Sequence, residues 1–498
     1  MTTVPLKLPR PSRRLLLAAS AASVLTPAWA VPGDDEPPLP QAPRPLLLPD
    51  VQSASLANGL QVVVAPRPNL PLVTATLLVR AGPETDLPGR AGASAMATAL
   101  WPKGALRQGK PVGAAEIARQ AEVLGSALDT RSSWGASTLT MTVSTPRLNE
   151  ALALMTDVLR FAQLAPDELE RARAQAMDSL RITYSNPGQV AQLALRRAWW
   201  GDGTYGAVAP AAAIKRLTRA DVQAFQAQWV RPDRVSLVLA GDITLEQAQA
   251  LAQRLLGDWK TPAAAAPSLA MRAPSPIKAP VVLIDMPGSG QSGVSVAAPF
   301  VTSGLDDRAA RIVGQVANAV LGGGYSARLN QEIRIRRGLS YGATSLAESQ
   351  PSGGMFEADT QTQHASAAQV LRLMRELVSQ LASQPPSAAE LAARQATLVG
   401  SFVRRLETTS GVAALLTGQL AQGRPLADLA GYADSVLAVT PAQVQAFAQR
   451  HWGEAQLRAV VVGDLSAAGA GLLEAAGPDA LRLTMAQLDL EQAGLARK

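Results

Sequence analysis

The sequence predicts an α+β protein made of two copies of one domain, each a mostly antiparallel sheet covered by helices. Three observations carry this expectation. The chain has 498 residues, too many for one ordinary core. Strand-like and helix-like patterns alternate along it. A helix–strand unit then occurs twice in one register. Apolar residues make up 47% and charged residues 17%, so the chain can bury sizeable cores and is not disordered as a whole.

The repeated unit is the strongest of the three. Residues 217–243 read LTRADVQAFQAQWVRPDRVSLVLAGDI, and residues 439–465 read VTPAQVQAFAQRHWGEAQLRAVVVGDL. Without gaps they align Thr218 with Thr440, Val222 with Val444, Phe225 with Phe447, Val238 with Val460, and Gly241-Asp242 with Gly463-Asp464. Each copy opens on a Thr N-cap, continues as an amphipathic helix and closes as an apolar strand. An internal duplication explains this, and with it two domains of one fold.

Within the first copy, Leu60–Ala65 and Val73–Arg80 read as strands rich in β-branched residues. In Ser137–Ser144, Leu139, Met141 and Val143 alternate with threonines, as in a strand with one buried face. Ala114–Leu124 and Leu148–Phe161 carry apolar residues at helical spacing. Helices are expected to cover one face of the sheet.

The N-terminus has the three parts of an export signal. Lys7, Arg10, Arg13 and Arg14 make a basic start, Leu15–Leu25 is a short apolar run, and Ala28-Trp29-Ala30 is a small-x-small cleavage pattern. The run of about eleven residues is too short to span a bilayer, which takes roughly 20. Arg13-Arg14 also fits a twin-arginine signal. Residues 1–30 hold four basic and no acidic residues, so their removal lowers the formal charge from +7 to +3. Such a balance calls for neither nucleic acid nor an acidic membrane surface. There is no cysteine, hence no disulfide, thiolate nucleophile or cysteine metal ligand. An exported chain without disulfides fits the periplasm.

Residues 31–50 hold seven prolines and read as a linker, as does the Pro-broken stretch 261–280. The expected organisation is a signal at 1–30, a linker at 31–50, domains at 51–260 and 281–475 separated by the linker 261–280, and a tail at 476–498.

Residues 82–104, GPETDLPGRAGASAMATALWPKG, resemble the signature of the pitrilysin/insulinase-like metallopeptidase family, where a Pro-Gly turn precedes a helix carrying H-x-x-E-H. Pro88, Gly89, Ala91, Gly92, Lys103 and Gly104 keep the frame. The resemblance implies the pitrilysin/mitochondrial-processing-peptidase-like fold. It also places the two histidine positions on Ala95 and Ala99 and the glutamate position on Thr98. The family's third ligand, a Glu on a later helix, falls on Ser179, in LERARAQAMDSLRITYSNP. Two His at i and i+4 share a zinc, and the Glu beside them takes a proton from the bound water. Ala and Ser supply none of that chemistry. The chain has two histidines, His364 and His451, 87 residues apart. His451 is expected to pack or cap, and His364 to face solvent. No G-x-S-x-G elbow supports a serine nucleophile.

Residues 321–345, LGGGYSARLNQEIRIRRGLSYGATS, resemble the family's second-half segment. That likeness implies that Arg328 and Tyr341 hold substrate, by donating to a peptide carbonyl or an oxyanion, with Gly322, Gly323 and Gly324 as a flexible loop on the substrate side. Read without the family, Arg328 fits an ion pair with Glu332, Tyr341 a packed strand residue, and the glycines a helix stop. The resemblance implies a non-catalytic subunit that binds no cofactor itself. Its partner would carry H-x-x-E-H and the zinc, and the two would enclose an unfolded peptide. The alternative is a peptidase-like scaffold or peptide-binding protein. No membrane span is expected.

Overall fold

Valine-rich runs buried along most of their length build two six-stranded sheets in a computed structural model that describes residues 49–498, apart from residues 108, 305 and 498. The export signal and most of the stretch 31–50 lie outside the described residues. The first sheet takes β1 (Gln52–Ser55), β2 (Gln61–Pro66) and β3 (Leu72–Val79). A two-stranded ribbon, β4 (Gly104–Arg107) and β5 (Lys110–Gly113), stands apart from it. The sheet is completed by β6 (Asp129–Ser133), β7 (Ala136–Ser144) and β8 (Val235–Gly241), in the order β1-β2-β8-β3-β7-β6. The second sheet has β9 (Val281–Asp285), β10 (Ser292–Phe300), β11 (Ser340–Gln350), β12 (Gly353–Thr362), β13 (Arg458–Gly463) and β14 (Leu481–Thr484), in the order β11-β12-β10-β13-β9-β14.

The two orders are the same arrangement read from opposite ends, with one exception. β1 precedes β2 in the chain and runs antiparallel to it, whereas β14 comes from the C-terminus and runs parallel to β9. The expected tail at 476–498 is therefore part of the fold. β14 closes the second sheet, and Leu488, Leu490 and Leu495 are buried beyond it. Its sequence resembles nothing in the first half because it fills the place of β1 by a different connection.

Eight helices position the features that follow: α1 (Ala93–Leu100), α2 (Pro166–Ser185), α3 (Pro187–Trp200), α4 (Arg219–Trp229), α5 (Arg308–Gly322), α6 (Ala388–Leu406), α7 (Thr409–Ala421) and α8 (Pro441–His451). In the repeated unit, α4 and α8 both open on a capping box, Thr218 with Asp221 and Thr440 with Gln443. Reciprocal bonds satisfy two orphan donors at each start. The paired residues Val222 and Val444 are fully buried.

Both faces of the central strands are covered, not one. All seven residues of β8 are buried. Along β9, Val281 and Leu283 enter one core while Val282 and Ile284 enter another, as the two-residue period of a strand dictates. The second core is built with α3, a helix of the first half, which lies on β10 and β13 and contributes Val190, Ala194 and Trp200. Reciprocally α7, of the second half, lies on β3 and β8. There Thr74 Oγ1 meets Thr409 Oγ1 at 2.8 Å and Thr142 Oγ1 at 2.8 Å. Each half lends a helix to the other's sheet. The stretch 261–280 has no regular structure but is tied down, with Ser275 N donating to Trp200 O and Ile277 N to Ala198 O.

Polar groups meet where α3 crosses the second sheet. Arg196 donates to Glu348 at 2.7 Å and lies 5.5 Å from the Trp134 ring centroid. Burial pushes the Glu357 carboxyl up to about 8; Asp359 and Glu348 add to the rise and Arg196 opposes it. Burial raises Asp359 too, against hydrogen bonds from Ser295 and Gln192. A carboxyl raised by folding contributes stability that is complete below its unfolded value and lost as pH climbs through the folded one. Stability should therefore fall as pH rises from about 4.5 towards about 8. Urea denaturation at stepped pH should show that slope flattened in Glu357→Gln. An unchanged slope in the variant would trace the titration to other groups.

Candidate functional site

The helix that the sequence resemblance assigns to the family's metal site is α1. It starts after Gly92, whose φ of +98° favours glycine and where an added Cβ would come 2.7 Å from Ile214 Cδ1. Asp86 caps it, accepting from Gly92 N at 2.7 Å and Ser94 N at 2.8 Å. Burial lifts the Asp86 carboxyl to about 6, although those two bonds resist the rise. Ala93, Met96, Ala97 and Leu100 turn into the first core, and α1 packs against α2 and α4.

The expected ligand positions are all on these helices. Ala95 and Ala99 are exposed on α1, and Ser179 is exposed on α2. The Ser179 hydroxyl donates to Gln175 O at 3.0 Å, and the neighbouring Asp178 pairs with Arg181 at 2.6 Å. Thr98 is buried, its hydroxyl donating to Ser94 O at 2.8 Å. These side chains do not fit a zinc ion: two have no donor atom, and two hydroxyls bond to their own helix. Among the described residues no three His, Cys, Asp or Glu side chains are grouped as metal ligands.

The two histidines are occupied elsewhere. His364 is half-buried, which corrects the solvent-facing expectation. Its Nε2 donates to Ser289 O at 2.7 Å, so Nδ1 is the acceptor for Ser292 Oγ at 2.8 Å. Both nitrogens are used. His451 stacks on Phe447, ring centroids 4.6 Å apart. Burial and Arg450 push its pKa down.

Arg328 opens a short helix, Arg328–Asn330. Its partner is Glu390 on α6, held in a two-pronged pair at 2.8 and 2.9 Å. Glu332 is taken by Arg336 and Arg337 instead. Arg328 also donates to Gln384 O at 3.0 Å and Pro385 O at 3.4 Å. Four of the five guanidinium N–H groups are thus engaged.

Tyr341 is the opposite case, with 88% of its surface exposed. Sequence alone offered a packed strand residue here; the structure turns it outward. Ser340 pairs with Thr362 and Ala343 with Thr360, so β11 carries one extra residue at this point. The bulge breaks the in–out alternation and aims Tyr341 away from the sheet. Gly342 N donates to Ser340 Oγ at 2.8 Å and Ala343 N to Asn330 Oδ1 at 3.3 Å, which fixes the bulge. Asn330 therefore joins the Arg328 helix to the Tyr341 strand, a link the sequence did not point to. β11 is an edge strand.

Gly322 serves packing. At Gly322 a Cβ would come 2.3 Å from Ser345 N, so α5 can end against β11 only with glycine. Neither Gly323 nor Gly324 has a positive φ. At Gly324 only the tip of the Arg394 side chain would lie within 4 Å of a Cβ, and both Gly323 and Gly324 are exposed.

Known proteins share this fold. A family model described as Peptidase M16 inactive domain matches residues 216–398. An uncharacterized zinc protease of Streptomyces coelicolor is 23% identical over 370 residues, 73% of this chain and 78% of that protein. One of Mycobacterium tuberculosis is 24% identical over 272 residues, 52% of this chain and 59% of its own length. Among solved structures, a peptidase M16 inactive domain of Pseudomonas fluorescens superposes with a TM-score of 0.76 at 24% identity, covering 83% of this chain and 98% of that one. A protease of Helicobacter pylori reaches 0.76 at 19%, covering 83% and 100%. The chain has the pitrilysin-like fold and is similar to the M16 peptidases, the inactive-domain match running from the end of its first half into its second.

Proposed function

We propose that the chain is the non-catalytic subunit of a periplasmic two-chain zinc peptidase. The partner carries H-x-x-E-H and the zinc. This chain helps to enclose an unfolded peptide and presents Tyr341 to it. The observation that carries the reading is a preserved helix scaffold, α1 packed on α2, with Ala95, Ala99 and Ser179 at the ligand positions. The exposed Tyr341 at the edge strand β11 supports it, since an extended peptide adds to a sheet edge through its backbone. Arg328 reaches substrate in this reading after exchanging Glu390 for a peptide carbonyl.

Native mass spectrometry of the protein taken from its host is the test. A complex with one zinc and a second chain bearing H-x-x-E-H is expected. In that complex Arg328→Ala should cut peptide hydrolysis at least tenfold while assembly persists. Normal cleavage by the variant would sink the substrate-contact role. A lone zinc-free chain or homodimer would favour the second reading, a scaffold or peptide-binding protein. The locked pair of Arg328 with Glu390 favours that reading, because a substrate-facing guanidinium has no need of four internal bonds.

A further inference from the structure

A cavity of about 460 Å³ opens between the start of α5, the end of α6 and α7. It lies apart from the ligand positions of α1 and from Tyr341, none of which lines it. Four arginines line it, Arg308, Arg311, Arg405 and Arg424, against a single acid, Asp428. Asp428 faces two of them: Arg308 Nε lies 3.2 Å from one of its oxygens and Arg311 Nη2 3.8 Å from the other, which is buried without a hydrogen-bond partner among the described residues. Arg405 and Arg424 form no ion pair among the described residues. The Nε–H of Arg424 is buried without an acceptor, and its Nη2 is 3.5 Å from Ser349 O. Burial and the charge of Arg311 push Arg424 down to about 10, only partly offset by Asp428. Arg311 itself is 4% exposed and donates to Gly304 O at 3.0 Å.

The remaining wall is apolar. Phe402 and Tyr432 pack with their rings tilted by 45° and centroids 4.7 Å apart, and Ile312, Leu398 and Leu415 extend the surface. Asp428 and Asp307 offset part of the charge of Arg311 and Arg405 is exposed, so the costly unmet charge is that of the buried Arg424, with Arg405 beside it in no ion pair among the described residues. Guanidinium groups recognise planar oxyanions through paired hydrogen bonds. An aromatic wall beside them rewards a ligand that carries apolar bulk behind its anionic head.

We propose that this cavity is a binding site for an organic carboxylate, with the carboxylate held by Arg405 and Arg424 and an aromatic or aliphatic body laid on Phe402 and Tyr432. Two sources share that chemistry: a small free acid, and the C-terminal end of a peptide with an apolar last residue. Both fit the volume, which lies within the range of small-ligand pockets.

Isothermal titration of the full chain tests this with phenylacetate, phenylacetamide, inorganic phosphate, and a short peptide ending in phenylalanine with a free or an amidated terminus. Phenylacetate should bind one per chain, and the amide should not. Arg405→Gln and Arg424→Gln should each weaken phenylacetate binding at least tenfold, with unchanged circular dichroism. Arg405 is exposed, so its variant tests the site even if that at Arg424 folds poorly. Competition by the free-terminus peptide but not its amidated twin points to a chain end; phenylacetate binding without competition points to a small acid. The proposal is overturned if phenylacetate does not bind at millimolar concentration, if the amide binds equally, if only phosphate binds, or if Arg405→Gln binds as the parent does.

Discussion

Trp200→Ala should destabilise the protein by about 3–5 kcal/mol, the usual cost of deleting a fully buried large aromatic. Trp200 ends α3 and has no exposed surface. Its ring meets Tyr205 edge-on, centroids 5.2 Å apart, and packs in the core that α3 forms with the second sheet. Its indole N–H has no acceptor, so the loss is one of packing and not of a hydrogen bond. Urea denaturation reads the effect directly. A change below about 1 kcal/mol, the size of an ordinary surface substitution, would mean that α3 is only laid against the second sheet and not built into it.

The second large effect is a gain. The triple variant Ala95→His, Ala99→His and Ser179→Glu should bind one zinc per chain, and the parent should bind none. All three positions are exposed, so the new side chains displace no core. Positions i and i+4 share a helix face, and α1 packs on α2. At a hundredfold excess of zinc over Kd the fold should gain about 2.7 kcal/mol, read as a rise in Tm reversed by chelator. Thr98 is left alone because it is buried, and an unpaired carboxylate there would be expensive. The variant should hold metal without hydrolysing peptides. Failure to bind zinc would show that the two helices do not bring the three positions within ligand reach.

Much of the architecture was legible because the cues are local and repeated. The Thr218 and Thr440 caps, the apolar face of each following helix and the strand ending in Gly-Asp each follow from a few neighbouring residues. The helix that places Ala95 and Ala99 four residues apart on one face was legible for the same reason. What sequence missed depends on distant partners. Arg328 finds Glu390, 62 residues away, while the nearby Glu332 is taken by other arginines. The bulge at Tyr341 depends on the register of β12. An amphipathic pattern says that α3 and α7 bury one side, but not whose sheet receives it. β14 is only four residues long, too short for a periodic signal.

The helix exchange bears on how the molecule is made. By the time β8 is synthesised, the strands of the first sheet are all present, yet the helix that shields their outer side has not been built. The contact of Thr74 with Thr409 spans 335 residues. Contacts of that separation come late and slowly, and a sheet bare on one side is prone to aggregate. A chain released before α7 would carry that bare surface. Nascent or truncated forms should therefore depend on a holding chaperone in proportion to the wait for residues 409–421, while the finished chain should not.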